Sequence, residues 1–353
     1  MPDFSAGRAP ANQNSSYHTV IPSKQGPERG RSRTNLRWGR LVISVAASAV
    51  GLAACSASGT PNASVPGIAT TLRSGGGGGD RGGTSKQAID PSYFANGSCL
   101  RYQPTSGNRH ITVFLDAGHG GIDPGAVGTT ESGTTIYEAE VTLRVELDAL
   151  ALLRSKGFTV VVSRTRNTTV LRMQRGDLDG NVLSLLGAHD EIAARDICAN
   201  NAHANLLVGI YFDASSSSHA AGSVTTYDAA RPFSEENLRF ARLLQSSVLA
   251  AMNHRGWQIP DADVLDDVGM GSNNGDPATS ELAAEALEYD HLMLLGPAMK
   301  GYFSTPSEMP GALIEPLFIT DPFEGSIAAN GKDQQVVASG IAHAVEEYFS
   351  PGT

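Results

Sequence analysis

The chain has 353 residues, 18% of them charged and 6% aromatic, with 39 glycines set most densely before residue 110. It is longer than one typical domain, yet its front is poor in the apolar residues that a packed core needs. Residues 1–40 carry seven basic side chains against two acidic ones, a net of +5, which leaves −15 for the rest of a chain whose total is −10; such a basic head on an acidic body reads as a topogenic segment and excludes a nucleic-acid partner, which needs basic residues on a folded surface.

Directly after Arg40 the run Leu41 to Ala54 is apolar and small-residue rich, and Cys55 follows it. A basic flank, a short apolar run and small residues before a break are the parts of a secretory signal. The run falls short of the roughly 20 apolar residues that span a bilayer. Leu52-Ala53-Ala54-Cys55 looks like a lipobox, in which the Cys55 thiol receives a diacylglyceryl group and becomes the mature N-terminus. An uncleaved anchor, or an ordinary signal with a chance cysteine, are the other readings of the same residues. Segment 1–55 is therefore expected to be a basic region, signal and lipobox.

Residues 56–108 are rich in Ser, Gly, Pro, Ala and Thr and include the run Gly75 to Gly79, so a flexible linker is expected there. Two further cysteines, Cys99 and Cys198, form either one disulfide in an oxidising compartment or two unrelated thiols. Sequence alone does not set their separation.

From His110 the pattern alternates strand and helix. Ile111 to Leu115 reads as a strand that ends in the glycine-rich Asp116-Ala-Gly-His-Gly-Gly121. Glu138 to Ser155 has apolar residues at helical spacing and stops at Lys156-Gly157. Phe158 to Val162 is the next strand, which implies parallel pairing through a right-handed crossover. Glu191 to Asn205 reads as a helix, Leu206 to Phe212 and Ser223 to Tyr227 as strands. A long helix capped by Ser234 ends near Gly256; Ala312 to Glu315 is a late strand and Lys332 to Phe349 a closing helix. The acidic stretch 257–290 is weakly periodic; within it 261–267 reads as a solvated loop, and 257–310 as an insertion or lid. The expected architecture is one α/β domain over 109–350, a central, mostly parallel, twisted sheet with helices on both faces.

Ligands of open α/β sheets bind at the carboxyl ends of strands. His119, Glu138 and Glu315 all stand at such ends. A histidine and a carboxylate brought together by one loop make part of a His₂Glu zinc site, with a separate carboxylate as general base.

Asp116-Ala-Gly-His-Gly-Gly121 with Asp123-Pro-Gly-Ala126, Glu138-Ala-Glu-Val-Thr-Leu143, Ser163-Arg-Thr165 and Ala312-Leu-Ile-Glu-Pro-Leu-Phe-Ile319 stand in this order. Together they resemble the motifs of the zinc-dependent N-acetylmuramoyl-L-alanine amidases over roughly residues 110–349. The resemblance implies Zn²⁺ held by His119 and Glu138, catalysis by Glu315, and hydrolysis of the amide between muramic acid and L-alanine in peptidoglycan. With the lipobox it implies an exported protein, lipid-anchored at the outer face of the cell membrane and facing the cell wall. One position departs. The family's second zinc histidine falls where this chain has Gly209-Ile-Tyr-Phe-Asp213, with Tyr211 in its place. A neutral tyrosine is a poor zinc ligand. His203 precedes its strand and lies at the wrong end of the sheet. His219, in the serine-rich loop on the correct side, is the candidate third ligand, with His189 and His291 lesser ones. The departure leaves open a degenerate amidase, a non-catalytic peptidoglycan-binding or regulatory lipoprotein.

Overall fold

The computed structural model describes residues 86–268 and 288–350; Cys55, the signal reading and residues 56–85 of the linker lie outside the described residues. The framework is an eight-stranded sheet. In chain order its strands are β1 Lys86–Ala88, β2 Ser98–Tyr102, β3 Thr112–Ala117, β6 Thr159–Arg164, β9 Leu206–Ile210, β10 Ser223–Tyr227, β11 Asp261–Asp266 and β12 Gly311–Glu315, and in space the order is β1-β2-β6-β3-β9-β12-β10-β11. Two small hairpins, β4 Val127–Thr129 with β5 Thr135–Tyr137 and β7 Leu178–Asp179 with β8 Val182–Leu183, complete the strands. The four central strands β6, β3, β9 and β12 run parallel, and β10 returns antiparallel to β12. The expected mostly parallel sheet is present, with antiparallel pairings toward both edges.

Alternation along the strands divides the core into two layers, because successive side chains leave a strand on opposite faces. Val113 and Leu115 join Val160, Val162, Val208 and Ile314 on one face. This face is covered by α1 Glu138–Ser155, α3 Ser234–His254 and α5 Gly331–Tyr348. Phe114, Val161, Leu207 and Leu313 point to the other face, under α2 Leu185–Asn201 and the chain around Leu294 and Leu295. A short helix, α4 Pro322–Ala329, follows the Glu315 strand. Among the described residues no helix is long and apolar enough to cross a membrane.

Four expectations change. Residues 86–102 are not linker: Phe94, Cys99 and Leu100 are buried, and Cys99 is bonded to Cys198 of α2. A five-residue polar-flanked strand in a Ser/Gly/Asn context carries too little periodicity to stand out from its surroundings. The acidic stretch contains β11, paired parallel with β10, and Asp267 just beyond it is fully buried rather than solvated. Helix α2 starts at Leu185, where the Ser184 side chain accepts a hydrogen bond from Gly187 N at 3.0 Å, and α3 starts at Ser234 with Phe233 in the cap position, so Ser234 is no cap.

Candidate functional site

The loop after β3 sets the site. His119 adopts a left-handed backbone (φ 61°) between Gly118 and Gly120, a conformation that a non-glycine residue holds only when its surroundings enforce it. Two buried arginines do the enforcing. Arg195 of α2 donates to the carbonyls of Ala117 (2.8 Å) and His119 (2.9 Å), while pairing with Asp116 at 2.7 Å and Glu191 at 3.1 Å. Arg164, at the end of β6, donates to Gly118 O at 2.9 Å and Ala139 O at 2.6 Å. The loop is thereby tied to the start of α1, the helix that carries Glu138.

The His119 imidazole lies between two carboxylates. Nδ1 is 2.7 Å from Asp123 Oδ2, which fixes the ring's orientation. Nε2 is 3.1 Å from Glu138 Oε2 but without hydrogen-bond geometry, so this buried nitrogen has no hydrogen-bond partner. Glu138 is anchored by backbone donors: Phe212 N to Oε1 at 3.0 Å and Ala126 N to Oε2 at 2.9 Å. Gly125 leaves the space beside them open, since a Cβ there would lie 2.7 Å from both Glu138 Oε2 and the His119 ring. Burial opposes charge on His119, yet Glu138 and Asp123 raise it to about 10.

Glu315, at the end of β12, is buried. Burial, then the charges of Asp213 and Glu138, hold its carboxyl well above the usual range. Asp213 is the residue that sequence reading passed over. It follows β9, is buried, and keeps Oδ2 without a hydrogen-bond partner. Burial and Glu138 raise it to about 7 against the hydrogen bond from Ala214 N. Its signal was present, because two residues beyond Tyr211 is the same side of an extended chain.

Tyr211 is committed elsewhere. Its hydroxyl donates to Asp116 Oδ2 at 3.1 Å, its ring rests on Gly118, and its edge meets the His119 ring at a 5.6 Å centroid distance. Burial and Asp116 keep the phenol protonated, well above its ordinary value. His219 is exposed on the loop after Asp213. His189 engages Tyr302 O at 2.8 Å and Asp190 at 2.9 Å, and His291 pairs with Asp228 and Asp267. Asn205, two residues after His203, accepts from Thr112 N at the amino end of β3, so His203 lies at the end of the sheet away from His119. The structure thus brings together His119, Glu138, Asp213 and Glu315 at the carboxyl end of the parallel strands, and leaves His219 at the surface.

A family model described as N-acetylmuramoyl-L-alanine amidase matches residues 113–347. The chain is 25% identical over 264 residues to the N-acetylmuramoyl-L-alanine amidase AmiA of Salmonella typhimurium, covering 72% of this chain and 81% of that protein. It is 24% identical over 238 residues to the germination-specific N-acetylmuramoyl-L-alanine amidase of Bacillus subtilis, covering 67% and 79%. A solved N-acetylmuramoyl-L-alanine amidase from Clostridium difficile is 25% identical, with a TM-score of 0.45 and coverage of 69% of this chain and 97% of that one. Since the family model spans well over half of the sequence, the chain belongs to the N-acetylmuramoyl-L-alanine amidase family.

Proposed function

We propose that the protein hydrolyses the amide bond between N-acetylmuramic acid and L-alanine in peptidoglycan, in a zinc-dependent reaction that serves cell-wall turnover or cell separation. The observation that carries this reading is the buried, unpartnered His119 Nε2 set against Glu138, with Glu315 at the same sheet end. The donor set suits a cation: one imidazole stands among the buried carboxylates of Glu138, Asp213 and Glu315, and buried charges of one sign are tolerated only when paired or coordinated.

His119 and Glu138 would hold the zinc. As third protein donor we favour Asp213, whose buried Oδ2 is unpartnered and whose carboxyl feels the charge of Glu138, over His219, which stands at the surface. Such an ion would supply Lewis-acid polarisation of the lactyl carbonyl and a lowered pKa for the attacking water. The Phe212 and Ala126 amides hold Glu138 in place, and Asp123 holds the His119 ring. Glu315 accepts a proton from water as its oxygen bonds to the amide carbon, then delivers that proton to the L-alanine nitrogen as the C–N bond breaks. We further propose export and lipid anchoring through Cys55, a reading to which the Cys99–Cys198 disulfide adds support because such bonds persist in oxidising compartments.

The test joins metal analysis of the purified protein to mass spectrometry of digested peptidoglycan. Stoichiometric zinc with free stem peptides beginning at L-alanine is the expected result. Tyr211 favours a second reading, a degenerate amidase that binds peptidoglycan without cutting it, because its engaged phenol replaces the family's histidine. Retained binding to sacculi with neither zinc nor stem peptides would establish that reading instead.

A further inference from the structure

A second set of titratable side chains, two of them fully buried carboxylates, lies apart from His119 and Glu138. Asp228 follows β10, Asp267 follows β11, and His291 belongs to the chain that covers the sheet near Leu294 and Leu295. Strand β10 runs antiparallel to β12, with Val224 opposite Glu315 and Thr226 opposite Leu313. The chain toward Asp228 therefore moves away from Glu315, by about 13 Å along the strand at roughly 3.3 Å per residue.

His291 Nδ1 is 2.9 Å from Asp228 Oδ2 and 3.0 Å from Asp267 Oδ1. Ligand atoms of the three residues lie within 4.8 Å of one another, and among the described residues no other three His, Cys, Asp or Glu groups meet that spacing. One ring nitrogen carries at most one hydrogen. The Nδ1 contact with hydrogen-bond geometry is to Asp267 Oδ1, which leaves Asp228 Oδ2 without a partner although its side chain is fully buried. The remaining carboxylate oxygens are held by backbone amides, Asp228 Oδ1 by Ala230 N at 2.6 Å and Asp267 Oδ2 by Leu292 N at 3.0 Å. Each carboxylate is thus fixed with its second oxygen turned to the same point.

Charge argues in the same direction. The buried carboxylates Asp196, Asp228 and Asp267 all lie within electrostatic reach of one guanidinium, that of Arg231. Arg231 directs its hydrogens to the carbonyls of Leu295, Gly296 and Ser307 rather than to those acids. When His291 serves as a neutral ligand, Asp228 and Asp267 bring two negative charges against a guanidinium shared with Asp196, and a divalent cation offsets them.

We propose that Asp228, Asp267 and His291 form a second divalent-cation site, separate from the amidase centre, that takes a first-row ion of the zinc or manganese class. One imidazole nitrogen with two carboxylate oxygens suits such ions, whereas calcium takes an all-oxygen set. Three protein donors leave room for water. The ion joins His291 of the covering segment to the ends of β10 and β11, so its role is to clamp that cover onto the sheet.

The experiment uses the full-length protein in detergent, stripped with chelator, refilled with Zn²⁺ or Mn²⁺, desalted and counted by mass spectrometry. A His119→Ala, Glu138→Gln double variant removes the first centre. It is expected to retain about one equivalent of metal, falling below about a tenth when His291→Gln or Asp228→Asn is added. Added metal also raises the thermal midpoint of the double variant by several degrees, and His291→Gln abolishes that rise. A double variant that folds by circular dichroism yet binds no metal overturns the proposal while leaving the amidase reading intact. Full retention of metal after His291→Gln overturns it as well. If the added substitutions prevent folding, uptake by the double variant alone decides. A double variant that keeps its ion, beside a wild type that releases no stem peptides, leaves this site standing while the amidase reading falls.

Discussion

In the proposed hydrolysis Glu315 takes a proton and gives one back, and its neighbours bear on that exchange. Burial and two nearby carboxylates favour its protonated form, while His119 pulls the other way. Glu315→Gln keeps the shape and removes the proton transfer. It is expected to cut stem-peptide release by about 10²- to 10⁴-fold while zinc content and thermal midpoint hold. Full activity in that variant would remove Glu315 from the chemistry. Arg195 illustrates the opposite case, a charge that acts by holding others. Arg195→Met strands Asp116 and Glu191 in the interior and is expected to cost about 3–5 kcal/mol in urea unfolding. His119, Glu138 and Glu315 were legible in the sequence because each sits where a strand ends and a loop or helix begins. The commitment of Tyr211 to Asp116 was not, since it depends on two strands lying side by side. Asp228 and Asp267 were hidden for the same reason, and His291, though visible as a spare histidine, gave no sign of these two partners.

The elements divide by how much of their surface is buried. The central strands β3, β6, β9 and β12 are buried on both faces and read as apolar runs, which is why their positions could be placed from sequence. The edge strands could not: β1 is exposed along its whole length and β11 reads Asp-Ala-Asp-Val-Leu-Asp. Between helices, close approach has its own requirement. A Cβ on Gly340 of α5 would come 2.7 Å from Val248 Cα in α3, so Gly340→Ala must push the two helices apart. Its expected cost is about 1–3 kcal/mol, read as a lower urea midpoint at unchanged m-value. The disulfide works over a longer span, its cysteines standing 99 positions apart in the sequence. Reduction is expected to destabilise the domain by about 2–5 kcal/mol, with a matching fall in thermal midpoint on adding thiol.

For the molecule as a whole, buried acids govern how stability depends on pH. Burial raises both Glu146 and Glu324 to about 8, against 4.5 for a free glutamate. Between those values the folded protein binds more protons than the unfolded chain, so unfolding free energy falls as pH rises from 5 to 8. The slope is at most about 1.4 kcal/mol per pH unit for each group. Glu146 uses only Oε1 for its hydrogen bonds, from Ala117 N, Ser163 N and Ser163 Oγ, while its buried Oε2 has no partner. Glu146→Gln can keep those bonds and lose the titration. Urea curves at pH 5, 6.5 and 8 are expected to show a slope reduced by up to one proton, and an unchanged slope would refute the assignment.

The Cys99–Cys198 bond also governs how the molecule answers a pull on its N-terminal end. Strand β1 is exposed and attached to the sheet through β2 alone, so a load arriving through the residues before Lys86 meets it first and can peel it away. Peeling stops at Cys99, where a covalent link passes the tension to α2 on the sheet's face. His119 and Glu138 both lie inside the covalent loop between Cys99 and Cys198. Under tension the rim yields first, and the pair at the centre of the site keeps its spacing.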